Sequence, residues 1–212
     1  MDQANKVPDL VFIYPEDFPE EIIKNELSSI QQDNLDVRVV KRGNGAYNGF
    51  EWIIPTAFGA YILKPYFDAF LSEAGKDHYD ILKKSLKTLI KKGKQFETKV
   101  VASDQSPDKL SNSYTQSLTV SIEFQTIDNR HIKLLFDNNL SLQDWNKGLE
   151  NFIQLISENY ESYPNDKLTE RIKELNTKEN RIIYVLINPV TRELELFDDM
   201  KLLARFHHDG KG

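Results

Sequence analysis

Apolar positions in this chain follow two rhythms, a spacing of three to four residues and a strict alternation, with Pro, Gly, Asn and Asp clusters between them. Leu10 to Tyr14 is a short apolar run bounded by Pro8-Asp9 and Pro15-Glu16-Asp17, which predicts a buried strand. Ile22, Ile23, Leu27 and Ile30 recur at helical spacing between residues 19 and 32. Leu35 to Val40 then predicts a second strand through its β-branched valines. Strand, helix and strand in this order form a βαβ-like unit with parallel strands.

Residues 52 to 71 are nearly all apolar, with Lys64 and Asp68 as their only charges. On a helical wheel the apolar side chains surround the axis, so the pattern predicts a buried helix, broken near Lys64 by Pro65. A second helix is expected over residues 76 to 92, ending at Gly93, with Tyr79, Leu82, Leu86, Leu89 and Ile90 on one arc. The two make a central hydrophobic helical hairpin over residues 50 to 92.

Past residue 95 the period changes. Phe96 to Ala102 reads as a strand, and 103 to 113 as an exposed loop. Leu118, Val120, Ile122 and Phe124 alternate with polar residues, and Ile132, Leu134 and Phe136 answer them after Asp128-Asn129. That is a hairpin with one buried face. Ser141 with Asp144 opens a helix carrying Trp145, Leu149, Phe152, Ile156 and Tyr160 inward, and Pro164 closes it. A further helix over 166 to 175 precedes strands at 182 to 187 and 193 to 197, and 207 to 212 reads as a frayed tail. The fold class is therefore α+β, a mostly antiparallel sheet with packed helices, an N-terminal βαβ-like unit and the helical hairpin. Composition shifts near 103 to 113, dividing the chain into 1–102 and 103–212 or marking a seam in one continuous domain.

The chain has 212 residues, 40% hydrophobic and 11% aromatic, enough for a sizeable core. Its formal net charge of -6 opposes non-specific attraction to nucleic acid or anionic membrane. With no cysteine there are no disulfides, thiolate metal sites or cysteine nucleophiles. The N-terminus lacks the pattern of a secretory signal, so a cytoplasmic protein is expected. The uncharged part of the apolar segment, Trp52 to Leu63, is 12 residues long, short of the roughly 20 that span a bilayer.

Candidate chemistry is sparse. Gly43, Asn44, Gly45 and Gly49 lie between an expected strand and an expected helix, where backbone N–H groups can approach a phosphate, but their spacing matches no dinucleotide fingerprint. Lys64 and Asp68 are charged groups within the most apolar segment, and an ion pair at the edge of the core explains them equally well. Residues 76 to 101 hold eight lysines against three acidic residues. Lys83, Lys84, Lys87 and Lys91 form a basic shoulder for an anionic partner, or a face neutralised by the acidic segments at 16–26 and 193–199. The absence of arginine there weighs against specific nucleic-acid recognition. His78, His131, His207 and His208 form no metal-ligand or triad pattern, and His131 is expected to be exposed on its strand. No metal or cofactor is predicted.

These observations favour a non-enzymatic binding or regulatory module that acts through contacts with a protein partner or by self-association. Trp52, Tyr61, Tyr66 and Phe67 would form its aromatic anchor. One alternative is a small enzyme or nucleotide-binding protein using the Gly43 to Gly49 loop. The other is a membrane-associating effector that inserts residues 52–71.

Overall fold

The computed structural model describes residues 7–16, 36–42, 56, 58–70, 76–95, 115–175, 177 and 181–208. The fold is α+β. Strands β1 (Leu10–Pro15), β2 (Val37–Arg42), β3 (Phe58–Ile62), β4 (Gln116–Gln125), β5 (His131–Asp137), β6 (Ile183–Ile187) and β7 (Leu194–Phe197) form one sheet in the order β2-β1-β3-β4-β5-β6-β7. The helices are α1 (Lys64–Phe70), α2 (Lys76–Gln95), α3 (Leu142–Ser162), α4 (Lys167–Leu175) and α5 (Asp199–His208).

The sheet is mixed. β1 with β2, β3 with β4 and β5 with β6 are parallel, while β1 with β3, β4 with β5 and β6 with β7 are antiparallel. The parallel pairing of β1 and β2 is the one expected for the N-terminal unit; the expected helix between them lies outside the described residues. So do the expected strand at Phe96 to Ala102 and the compositional seam at 103–113, across which the sheet continues through the pairing of β3 with β4.

The apolar segment is not one long helix. Its described part is the central strand β3 followed by α1, so the expected helical hairpin is replaced by strand, short helix and long helix. Gly59 and Tyr61 on the second face of β3 are no more charged than Ala60 and Ile62 on its core face, so the strand lacks the alternation that marks its period. Pro65 begins α1 rather than breaking it, because a first-turn residue needs no amide hydrogen for the helix. Among the described residues no helix is long and apolar enough to cross a membrane.

One sheet face carries the main core. Phe12, Ile62, Ile122, Phe124, Ile132, Phe136 and Val185 pack with Leu82, Leu86 and Ile90 of α2 and with Trp145, Phe152 and Ile156 of α3. Phe67 stacks on Tyr160 at 4.5 Å between ring centroids, and Phe124 meets Phe152 edge-on at 5.1 Å. The Ser141 capping box is formed: its hydroxyl accepts from the Asp144 amide at 3.1 Å and its amide donates to the Asp144 carboxylate at 3.1 Å. On the opposite face Leu202 of α5 packs with Leu135, Tyr184 and Leu186. The β4–β5 hairpin is therefore buried on both faces, not one: Ser121, Glu123 and Leu135 are as inaccessible as Ile122 and Leu134.

Two glycines let helices approach the sheet closely. Gly93 does not end α2, which runs to Gln95; a Cβ there would lie 2.7 Å from Cγ1 of Val120. A Cβ on Gly148 of α3 would lie 2.3 Å from Cδ1 and 2.7 Å from Cγ1 of Ile187. Gly148→Ala is expected to destabilise the protein by about 1–3 kcal/mol through overpacking, despite the roughly 1 kcal/mol that alanine adds to helix propensity. Urea denaturation checks this, and a neutral or stabilised variant would refute the close contact.

Candidate functional site

The second sheet face is read most easily along its rows. Arg38, Val11, Tyr61, Glu123, Lys133, Tyr184 and Phe197 lie opposite one another in register across all seven strands. Val40, Ile13, Gly59 and Ser121 form the next row. Accessibility changes along both. Glu123, Lys133 and Tyr184 are buried, Val11, Ile13 and Tyr61 are half-buried, and Arg38 and Val40 are exposed. Among the described residues, helix α5 covers the β6 and β7 end and no helix covers the β2–β1–β3 sector, the open end.

The buried end is polar and internally satisfied. Glu123 and Nδ1 of His131 are 2.8 Å apart, with Glu123 only 6% exposed. The hydrogen bond to this carboxylate lifts the His131 pKa above the usual imidazole value, against the opposing effect of partial burial. Burial, followed by the charges of Glu123 and Asp199, pushes Tyr184 up to about 12. Thr56 and Ser121 share a hydroxyl hydrogen bond of 2.7 Å. His131 is thus half-buried and paired, not exposed as its position on the strand suggests. The missed signal is register: Glu123 and His131 are separated by one hairpin turn and their strands pair antiparallel.

The open end is apolar and basic. Val40 is 45% exposed on this face and Val39 is 37% exposed on the other, both on β2, the edge strand among the described residues. The ring of Tyr61 lies over Gly59, where a Cβ would come within 2.9 Å of its Cε2, so the absent side chain lets the aromatic ring lie across the sheet. Asp9 fixes the strands: its amide donates to the Asp36 carbonyl at 2.9 Å, its carboxylate accepts from the Asp36 amide at 2.7 Å, and its carbonyl accepts from the Leu63 amide at 3.0 Å.

Among the described residues, the sequence-predicted ones do not converge. Gly43, Asn44, Gly45, Gly49 and Trp52 lie outside the described residues. The Lys64 amide donates to the Gln125 side chain at 3.0 Å and its ammonium to the Ile127 carbonyl at 3.3 Å, which binds it to the β4–β5 turn; Asp68 is exposed. Lys83 and Lys87 both meet Glu150 of α3, at 3.1 and 2.5 Å, and Lys84 and Lys91 are exposed. Glu150 of the neighbouring helix thus neutralises Lys83 and Lys87, and residues 17–26 lie outside the described residues. The hydrogen bonds from Lys87 and Lys83 hold the Glu150 carboxyl below the usual range.

Among the described residues of the expected aromatic anchor, Tyr61 alone lies on the open face. Tyr66 and Phe67 are each 1% exposed and belong to the core, because α1 turns them against β4 and α3. The backbones of His207 and His208 end α5 instead of fraying. Asp198 caps that helix by accepting from the Lys201 amide at 2.7 Å. Among the described residues no group of three or more His, Asp or Glu side chains is placed to hold a metal ion. Comparison with protein-family models, with curated proteins and with solved structures finds no match.

Two predictions follow from these placements. Phe67→Ala is expected to destabilise the fold by about 3–5 kcal/mol in urea titration, as for an aromatic removed from a packed core; a loss below about 1 kcal/mol would return Phe67 to the surface. His131 is protonated more readily in the folded chain, so its ion pair with Glu123 stabilises fully below the unfolded histidine pKa of about 6.5 and is lost as pH rises through the higher folded value. Glu123→Gln should lower the His131 pKa measured by NMR and flatten that dependence. A wild-type His131 that titrates at or below about 6.5 would contradict the pair.

Proposed function

We propose that this protein is a non-enzymatic binding module that contacts another protein through the β2–β1–β3 sector of its sheet. The supporting observation is the asymmetry of the second face: α5 covers one end, while Val11, Ile13, Tyr61 and Val40 leave adjoining apolar surface accessible at the other. Exposed apolar surface rimmed by charge is the composition of a contact site. Tyr61, half-buried and separated from exposed Arg38 by Val11 in the same row, suits a place in such a patch, where a rigid aromatic adds contact area at low entropic cost.

The alternatives gain no comparable support. Lys64, one of the two charged groups expected to accompany the glycine loop, is engaged with the β4–β5 turn, and the loop itself lies outside the described residues. The described part of the apolar segment is a central strand and a short helix whose Tyr66 and Phe67 are packed inside the fold.

A photoreactive benzophenone side chain placed at position 40 or 13 in the producing cell tests the proposal. A discrete adduct of one protein is expected from these positions and none from position 190, a turn valine that is 86% exposed. Equal labelling at all three, or no adduct at 40 and 13, would reject this surface as the contact.

A further inference from the structure

We infer that the β2 edge accepts an acidic, extended segment of a partner protein as an added strand. This deepens the protein-contact reading and rests on it. The backbone supplies the first reason. The Asp36 carbonyl accepts from the amides of Asp9 and Leu10, so it points toward β1. Alternation along a strand then turns the peptide groups of Val37 and Val39 toward the outer edge. Among the described residues that edge has no neighbouring strand. Strand addition to a sheet edge draws its affinity from such groups and its specificity from alternate side chains.

The side chains supply the second. Val39 and Val40 lie on opposite faces of β2 and are 37% and 45% exposed, so an incoming strand finds an apolar neighbour on either face. Within the segment from Asp36 to Lys41, Arg38 and Lys41 stand against one acidic residue in a chain whose net charge is -6. Arg38 is 3.9 Å from Asp36, and Arg38 and Lys41 are both exposed. A basic edge on an acidic protein selects an acidic strand and orients its approach.

Other occupants fit less well. Pairing β2 with the β2 of a second copy would set like charges opposite one another, which destabilises a ladder. The acidic β7 edge of a second copy is already engaged. There the Arg171 guanidinium donates to the Leu194 carbonyl, and Glu195 is held by Asn188 at 2.7 Å and Arg205 at 2.6 Å. A single-stranded nucleic acid would find valines on the edge strand, which offer no stacking platform.

The test uses the full chain and a fluorescein-labelled decapeptide of alternating Glu and Val. Three comparisons accompany it: the same peptide with Lys for Glu, the Glu peptide N-methylated at alternate residues, and the Arg38→Glu/Lys41→Glu variant, checked by circular dichroism for a retained fold. The acidic peptide is expected to bind, and each of the three changes to weaken it at least about tenfold. Binding should also slow amide hydrogen exchange at Val37 and Val39. Equal binding of the N-methylated peptide would overturn strand addition in favour of charge alone. A concentration-dependent dimer that protects the Val39 amide would assign the edge to a second copy. If no peptide binds at millimolar concentration the inference fails, and an adduct at position 40 would still support the wider protein-contact reading.

Discussion

The structure depends on the parallel pairing of β3 with β4. Residues 58–62 lie beside 120–124, and through this pair the N-terminal strands share one sheet with the hairpins that follow. Ala60, Ile62, Val120, Ile122 and Phe124 are all fully buried, so the pair is the centre of the core as well as of the ladder. A buried peptide group without a partner costs more than a hydrogen bond gains, so a strand this deep needs neighbours on both sides. β1 and β5 supply them. The next residues strengthen the arrangement. The Leu63 amide reaches Asp9, the Lys64 amide reaches Gln125, and α1 then lays Phe67 against Phe124 and Tyr160.

A buried polar cluster stabilises the other end of that contact. The Asn159 side chain accepts from the Ile127 amide at 3.2 Å and donates to Asp166 at 3.1 Å and Thr169 at 3.2 Å. It therefore joins the β4–β5 turn to the corner between α3 and α4. Burial works to raise the Asp166 pKa, but hydrogen bonds from Thr169 and Asn159 outweigh it and hold the carboxyl below its usual value. The Tyr160 hydroxyl, one residue on, donates to the Gln125 carbonyl at 2.7 Å. Every member of this cluster has partners in the fold, the condition under which buried polar groups specify a geometry rather than weaken it. Lys64 belongs to the same corner through Ile127, which explains a cation at the end of an apolar run without invoking a ligand.

What was legible in the sequence were the features written locally. The 3.6-residue period of α3 and its Ser141 cap, the alternation of β4 and β5, and the paired runs of β6 and β7 each depend on residues close in the chain. The α+β class followed from them. Within 52–71 the helix after Lys64 is present, whereas residues 58–62 form a strand whose two faces are both uncharged, so the alternation that separates a strand from a helix is missing. Gly93 was read as a stop because glycine is common past helix ends, whereas it is required here by the approach of Val120. Helix α5 was missed, though Asp198 as cap with Leu202 following is a local signal. The candidate surface was least legible. Tyr61 was singled out for its apolar surroundings, but its neighbours on the face, Val11 and Ile13, read only as strand residues until register set them beside it.

The sheet is asymmetric because its covering elements are unequal. Among the described residues, helices α2, α3 and α4 bury one face, and α5 reaches the other at β6 and β7. The second face therefore moves from a buried row of Glu123, Lys133 and Tyr184 to accessible Val40 and Arg38 over three strands. Charges at the covered end are paired at fixed distance, so they add rigidity and little attraction for a ligand. At the open end Asp9 ties β1 to the residues flanking β2 and β3, and the Tyr61 ring lies over Gly59. A surface held by hydrogen bonds from the adjoining core needs little ordering when it meets a partner, and low ordering cost is what allows a small apolar patch to bind usefully. The fold thus couples its two halves: the pairing that buries β3 against β4 also sets the half-buried Tyr61 beside Val11, two strands in from the β2 edge.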